Sequence, residues 1–323
     1  MALSYEFSIG SVRAKECSLF SAADIEQMLA LGSEEELFRF LSDKGYGDGD
    51  TVDELLEDNT RRMWSYLRSI APDMEIFSPF MRSNDIHNFK TVLKGMMSGR
   101  DTDDMILEPG TISVGVMKEA VESRRFDRLP QWLSEAADQS YNLLAQTKDA
   151  RLSDALIDRA YLSRLQTDAQ ETKTPFLAEY FRATTFYADI KLLIRAARTS
   201  AGRDYLERAV CPVEGLDKPQ AVKKALSGSD ALLKYLSSIQ AYSCYRAIEA
   251  YNSSPSEFER YVDNYLMQLT RKSCRYGIEG AQPMLGYYLA CENERKIIHI
   301  IAGGIRTKTP PEKIRERLRE TYG

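Results

Sequence analysis

Histidine is nearly absent from this chain: His87 and His299 are the only two in 323 residues. There is no His-Glu-x-x-His run and no Cys/His pair with ligand spacing, so the usual zinc sets and the usual bases for an activated nucleophile are missing. The cysteines, at 17, 211, 244, 274 and 291, are few and widely separated. No two have metal-site spacing. An odd, scattered set fits a reducing compartment and small buried side chains.

Long hydrophobic runs are lacking as well. The most apolar stretch, Ile297 to Ile305, is interrupted by His299 and two glycines, far short of a membrane span. Met1 to Arg13 has no basic-then-apolar leader, so no signal peptide is expected. Basic excess is absent: the net charge is -5 and the pI about 5.4, which argues against nucleic acid as a partner. Alternating strand residues are hard to find. Gly110 to Val116 is the nearest approach, and it is too short to carry a sheet.

What remains is helix. Ser33-Glu34-Glu35-Glu36 has the form of a capping box, in which hydroxyl and carboxylate satisfy each other's backbone N–H. Ser78-Pro79, Thr174-Pro175 and Thr309-Pro310 each put a hydroxyl before a proline, which predicts helix starts. Gly95, Gly202 and Gly303 are expected to end the helices that precede them. Two stretches, Ser98 to Gly110 and Thr199 to Pro219, carry glycine and proline and read as connections.

A fixed interval organises these helices. Val52-Asp53, Ile157-Asp158 and Val262-Asp263 recur 105 residues apart. Asp85, Asp189 and Glu294 follow the same beat, at intervals of 104 and 105. Such a period predicts three copies of one helical unit, over residues 1–105, 106–212 and 213–323. The proline-to-acid distances of 6, 14 and 11 residues differ, so the copies have diverged at their entries.

Each marker acid lies in an apolar stripe. Met81, Phe89 and Val92 flank Asp85; Leu193 and Ala196 flank Asp189; Ala290, Ile298 and Ile301 flank Glu294. Neighbours three and four apart share a helix face, so these carboxylates point toward packing surface. There an unpartnered carboxylate would cost several kcal/mol. Acid/base catalysis would need two carboxylates within about 10 Å, which single acids on separate copies could supply only at a shared axis. The expectation is structural: each acid accepts from an Arg, a Tyr or a free backbone N–H in the same repeat.

Other constellations fail on chemistry. Gly45, Gly47 and Gly49 lie in a YGDGD run whose aspartates would repel phosphate. Counted from Asp48 as a calcium loop, position 5 is Val52 and position 12 is Asn59, so the ligand pattern breaks. A turn is the reading left. Arg124, Arg125 and Arg128, and Arg315, Arg317 and Arg319, are interleaved with acidic or apolar residues and read as solvated helix faces. No cofactor motif is present.

With the repeat in view, the last forty or so residues, QPMLGYYLACENERKIIHIIAGGIRTKTPPEKIRERLRETY, resemble the C-terminal signature of the C subunit of V/A-type rotary ATPases, called d in the eukaryotic complexes. The pattern falls on Pro283, Glu292-Asn293-Glu294, Ile297 to Ile301, Gly303-Gly304 and Ile314-Arg315-x-x-Leu318. NDIHNFKTVLKG resembles a family motif on Asp85, Asn88, Leu93, Lys94 and Gly95, and Tyr5 with Arg13-Ala14-Lys15 is similar to the opening helix. One departure stands out: where the family commonly has arginine in the long C-terminal helix, this chain has His299 and its neighbours. A carboxylate held by that arginine would here need another grip.

The resemblance implies an all-α fold of three similar domains in a pseudo-threefold, funnel-shaped body. It implies a socket between the central shaft, made of the D and F subunits, and the proteolipid ring of the membrane rotor. Such a socket carries torque for proton or sodium transport on the cytoplasmic face, with no cofactor, no small-molecule substrate of its own and no catalysis. Two other readings compete: a stand-alone helical-repeat scaffold, whose repeats are usually shorter, and an enzyme built on an axial site of Asp85, Asp189 and Glu294.

Overall fold

The computed structural model describes residues 4–323, and among these the regular structure is helical, with no strand. In chain order the helices are α1 (Tyr5–Glu16), α2 (Ala22–Leu29), α3 (Glu34–Asp43), α4 (Val52–Ile70), α5 (Ser78–Ser98), α6 (Val114–Ser123), α7 (Gln131–Thr147) and α8 (Ala150–Glu171). They continue as α9 (Pro175–Arg198), α10 (Arg203–Ala209), α11 (Lys218–Leu226), α12 (Ser229–Leu236), α13 (Cys244–Ser253), α14 (Pro255–Cys274), α15 (Gln282–Arg306) and α16 (Pro311–Arg315). The all-α expectation holds. Gly110–Val116, the nearest thing to a strand in the sequence, is a bend that runs into α6.

The chain divides into two compact units. One joins the chain up to Ile76 with Ala250–Gly323; the other is Phe77–Glu249.

Local chemistry sets most helix starts. Ser33 accepts the Glu36 N–H at 3.2 Å, while Glu36 takes the N–H of Gly32 at 2.7 Å, one residue earlier than a standard capping box. The reciprocal box forms at Ser21 and Asp24 instead. The side-chain oxygens of Thr51 and Ser254 cap α4 and α14 by accepting the N–H groups of Glu54 and Glu257, without a reciprocal box. The hydroxyls before proline behave differently. Pro79 and Pro175 do sit in the first turns of α5 and α9, but Thr174 makes no side-chain cap bond and Ser78 is not at the cap position. Ser78 is already helical and Phe77 holds the cap position; α16 begins at Pro311 after Pro310.

The glycine expectations also need correction. Gly95 and Gly303 are interior to α5 and α15, which run on to Ser98 and Arg306, and Gly202 is the N-cap of α10. The left-handed terminator of α5 is Gly99, with φ 67°. Gly95 serves a different need: a Cβ there would meet Thr102 Cγ2 at 2.8 Å.

In the first unit the N-terminal half of α15 is buried on every side, from Pro283 to Ala290, which makes it the central element. Its later turns, with Ile297, Ile298 and Ile301, close over Leu37, Leu41, Leu55 and Leu56 of α3 and α4. In the second unit Phe89, Val92 and Leu93 of α5 pack with Met117, Ala120 and Leu133. Between α7 and α8 the fully buried Ser140 and Ser153 exchange bonds: each hydroxyl donates to the other's carbonyl, at 3.0 and 3.2 Å. Such small residues let two backbones meet closely without orphaned polar groups.

Two glycines of α15 separate close packing from simple helix propensity. A Cβ on Gly286 would meet Cys274 Cβ at 2.5 Å and the Tyr322 hydroxyl at 2.6 Å, whereas one on Gly303 meets nothing within 4 Å. Gly286→Ala should therefore lower unfolding free energy by about 1–3 kcal/mol through overpacking. Gly303→Ala should raise it by about 0.5–1 kcal/mol. Urea denaturation of the two variants checks the pair; a gain at Gly286 would show that the α14–α15 contact is loose.

Candidate functional site

The three marker carboxylates are buried, and each receives a backbone N–H from an irregular segment just ahead of a short helix. Asp85, fully buried on α5, takes the N–H groups of Thr111 and Ile112 on Oδ1 at 2.8 and 3.0 Å, and the Thr111 hydroxyl on Oδ2. Asp189, fully buried on α9, takes the Cys211 N–H on Oδ1 at 3.1 Å. Glu294, 7% exposed on α15, takes the Phe20 N–H on Oε1. These donors precede α6, α11 and α2. The partner is a backbone N–H each time, but Thr111, Ile112 and Phe20 lie outside the repeats of Asp85 and Glu294 as bounded from the sequence. Cys211 lies within the same bounds as Asp189, so one tie stays inside the stretch expected for it and two reach beyond.

Asp85 does not act alone. Asn88 on the next turn of α5 donates to the Leu107 carbonyl at 2.9 Å and accepts the Leu107 N–H at 2.8 Å. Asn84 donates to the Pro109 carbonyl at 2.9 Å, and His87 Nε2 lies 3.0 Å from the Met105 carbonyl. One polar edge of α5 thus holds the backbone from 105 to 112, a segment with no regular partner of its own. Gly110 is required in that strap because a Cβ would stand 2.5 Å from Asp85 Oδ1. Around Asp189, Lys218 donates to the Glu207 and Val210 carbonyls at 2.8 and 2.7 Å, and Arg159 donates to the Arg208 carbonyl at 2.8 Å. On α15 Asn293, beside Glu294, donates to the Glu320 carbonyl at 2.9 Å.

Burial dominates the electrostatics. It raises the Asp85 carboxyl, against the Thr111 hydroxyl and the two backbone N–H groups that favour the anion. It lifts Asp189 to about 7, opposed by the Cys211 N–H and more distantly by Lys218 and Arg159. It lifts Glu294 to about 8, opposed by the Phe20 N–H. Asp189 Oδ2 is buried with no hydrogen-bond partner, consistent with a proton on that oxygen for part of the time at neutral pH.

The second repeated marker has its own pattern. Asp158 pairs with Lys90 of α5 at 2.6 Å, Asp263 with Lys296 of α15 at 2.9 Å, and Asp53 with Arg306 of α15 at 2.9 Å. Each acid meets a cation on a helix that also carries a marker carboxylate. His299 Nδ1 stands 4.0 Å from Asp53, and Arg306, two turns further along, grips both Asp53 and Glu34. Arg306 therefore grips two carboxylates on the same helix as His299, two turns beyond it. None of Asp85, Asp189 and Glu294 shares a hydrogen-bond partner with another. Among the described residues no group of three or more His, Cys, Asp or Glu could hold a metal ion.

Sequence reasoning placed Asn88 in the family motif but did not see that it holds the strap together with Asn84 and His87, and it missed the largely buried Arg82–Asp168 pair, whose closest approach is 2.5 Å. For the strap a signal existed: Asn84 and Asn88 are four apart beside Asp85, an unusual polar edge within an apolar helix. For Arg82 and Asp168 there was none, since they are 86 residues apart.

The unequal donor sets predict unequal costs. Asp85→Ala strands three donors and should destabilise by about 3–5 kcal/mol; Asp189→Ala strands one and should cost about 1–3 kcal/mol. The raised Asp189 and Glu294 carboxyls bind protons in the folded state that the unfolded chain has released. Their contribution is fully present below pH about 4 and is lost as pH rises toward about 7 and 8 respectively. Asp189→Asn keeps an acceptor for Cys211 and carries no charge, so it should match or exceed the parent at pH 8 and lose that advantage at pH 5. Denaturation at the two pH values decides it; an Asn variant equally weak at both would mean that Asp189 is held as a strong anion.

Comparison with known proteins fits this architecture. The family model of the ATP synthase (C/AC39) subunit matches residues 8–317. The C subunit of the A-type ATP synthase of Methanocaldococcus jannaschii is 23% identical, over 97% of this chain and 86% of its own length. The C subunit of the V-type sodium ATPase of Enterococcus hirae is 20% identical, over 96% of this chain and 97% of its own. The C subunit of the A-type ATP synthase of Halobacterium salinarum is 23% identical, over 97% of each. With the match running almost from end to end, and an all-helical chain carrying its buried acids on three long helices, this protein belongs to the ATP synthase (C/AC39) subunit family.

Proposed function

We propose that this chain is the non-catalytic central-stalk socket of a V/A-type ATP synthase or ATPase, joining a D–F shaft to the proteolipid ring of the membrane rotor. The observation that supports it best is the thrice-repeated tie between a buried carboxylate of a long helix and the backbone leading into a short one. A part that transmits torque is loaded in shear. Apolar packing is non-directional and resists sliding poorly, whereas a buried hydrogen bond with one geometry resists it and cannot exchange with water.

The same tie supports three related copies, over 1–105, 106–212 and 213–323: Asp85 grips the opening of the second, Glu294 that of the first, and Asp189 the last residues of its own copy. On this proposal the marker acids Asp85, Asp189 and Glu294 are structural. Among the described residues no helix is long and apolar enough to cross a membrane. On this proposal the chain is attached to the rotor through partner proteins at the cytoplasmic face. The relatives' names include both a sodium ATPase and ATP synthases; the chain itself carries torque in either direction.

Native mass spectrometry of the chain mixed with the D and F subunits of its own organism tests the proposal. A one-to-one-to-one complex is expected. A well-folded chain that stays free would overturn the socket role and favour a stand-alone helical scaffold.

A further inference from the structure

The irregular segment that Asp189 holds by the Cys211 N–H continues as one wall of a cleft. Its volume is about 530 Å³, within the range of small-molecule sites. Gln166 of α8 and Arg182 of α9 stand on one side, and the run from Pro212 into the start of α11 on the other. All of it lies in the second compact unit.

The cleft carries both signs of charge and an excess of neither: Arg182 and Lys218 against Glu214 and Asp217. The hydrogen bonds already made separate these groups. Lys218 donates to the Glu207 and Val210 carbonyls at 2.8 and 2.7 Å, and Asp217 accepts the Gln220 N–H on Oδ1 at 3.0 Å. Both are occupied with the backbone around α11. Arg182 and Glu214 approach each other only to 3.8 Å, beyond the roughly 3.2 Å reach of an N–H···O bond. Their charges balance, but donor and acceptor are not joined. The Glu214 side chain is 73% exposed, while its backbone is fixed: Gly215 beside it has φ 87°, and a Cβ there would stand 2.6 Å from Ala241 Cβ. A third group is unjoined as well, since Gln166 Nε2 is buried with no hydrogen-bond partner. Val213, Leu216 and Pro219 give the cleft an apolar side.

We propose that this cleft binds a zwitterion, an α-amino acid with an apolar side chain. The ligand carboxylate accepts from the Arg182 guanidinium and from Gln166 Nε2. Its ammonium donates to Glu214, whose exposed side chain can turn to meet it, and its side chain lies on Val213, Leu216 and Pro219. A simple anion would meet Glu214 and Asp217 as like charges. A simple amine would meet Arg182 as a like charge and leave Gln166 Nε2 unjoined. A ligand with both groups on one carbon replaces the long Arg182–Glu214 contact by charge-assisted hydrogen bonds to each partner. The site does not rest on the socket role, since it is defined within one compact unit.

Calorimetric titration of the full chain with L-leucine, leucinamide, N-acetylleucine and glycine tests the assignment. Leucine should bind saturably. Leucinamide, which lacks the carboxylate, and N-acetylleucine, which lacks the ammonium, should each bind about tenfold or more weaker, the scale of one charged hydrogen bond. Glycine should be weaker by about tenfold for want of a side chain on the apolar wall. Arg182→Gln should bring leucine down toward leucinamide, and Glu214→Gln should bring it down toward N-acetylleucine; the melting temperature of each variant shows that it has folded. No saturable binding at millimolar leucine to the parent chain would overturn the proposal. So would equal affinity for leucine and leucinamide, or folded Arg182→Gln and Glu214→Gln variants that bind leucine as the parent does.

Discussion

A buried peptide N–H in an irregular segment has no ladder to join, and leaving it unpaired costs roughly as much as a good hydrogen bond contributes. This chain meets that constraint three times in one way. A carboxylate is sent from the interior of a long helix to receive the N–H groups of the segment entering a short helix: Thr111 and Ile112, Cys211, and Phe20. The position of each short helix follows. α6 starts two residues after Ile112, α2 two residues after Phe20, and α11 soon after Cys211. Without the acceptor, the entering segment would have to unwrap toward water, and the apolar face of the short helix would be exposed with it.

A carboxylate is an expensive acceptor to bury, and the three sites handle that cost differently. Asp85 has three donors and a glycine cleared from its path at Gly110. Its anion is partly compensated, and burial still raises its carboxyl. Asp189 and Glu294 rely on a single backbone N–H, so their carboxyls rise further, to about 7 and about 8. Near neutrality they stand close to the point where proton and charge exchange at little cost. A group in that state keeps its geometry while lowering its charge, which is how an otherwise prohibitive burial is tolerated. The buried Asp189 Oδ2 with no partner belongs to the same balance.

Periodicity exposed the acids but not their partners, for a physical reason. The 104- and 105-residue intervals and the apolar stripes around Asp85, Asp189 and Glu294 are properties of single helices, where neighbours are fixed by a repeat of 3.6. The donors come from irregular backbone. Any residue but proline carries the same N–H, so Thr111, Cys211 and Phe20 have nothing in common to read. Caps were legible where Ser, Thr or Asp could act on its own first turn, as at Ser33. They were misread where proline already set the geometry, as at Ser78. Gly95 and Gly303 looked like terminators because glycine's freedom and its smallness leave the same letter. At Gly95 the structure shows smallness at work, against Thr102, and freedom belongs to Gly99 instead. The division at Ile76 and Glu249 ignores the 105-residue beat. A repeat is a similarity of sequence, while a compact unit is a density of contacts, and the two need not share boundaries.

The strap held by α5 shows how a largely apolar helix can fix an irregular segment. Asn84, Asp85, His87 and Asn88 occupy one edge and hold backbone from 105 to 112, while Phe89, Val92 and Leu93 face the core. Packing fixes where α5 lies; the polar edge fixes the register of the strap against it. Slippage by one residue would break the Asn88–Leu107 pair and the Asp85 bonds together and bring a side chain where only Gly110 fits. Failure is therefore cooperative, and the energy to start it is that of several buried hydrogen bonds at once. On the proposed socket role that property matters, because several buried bonds would have to give way together before the strap distorted.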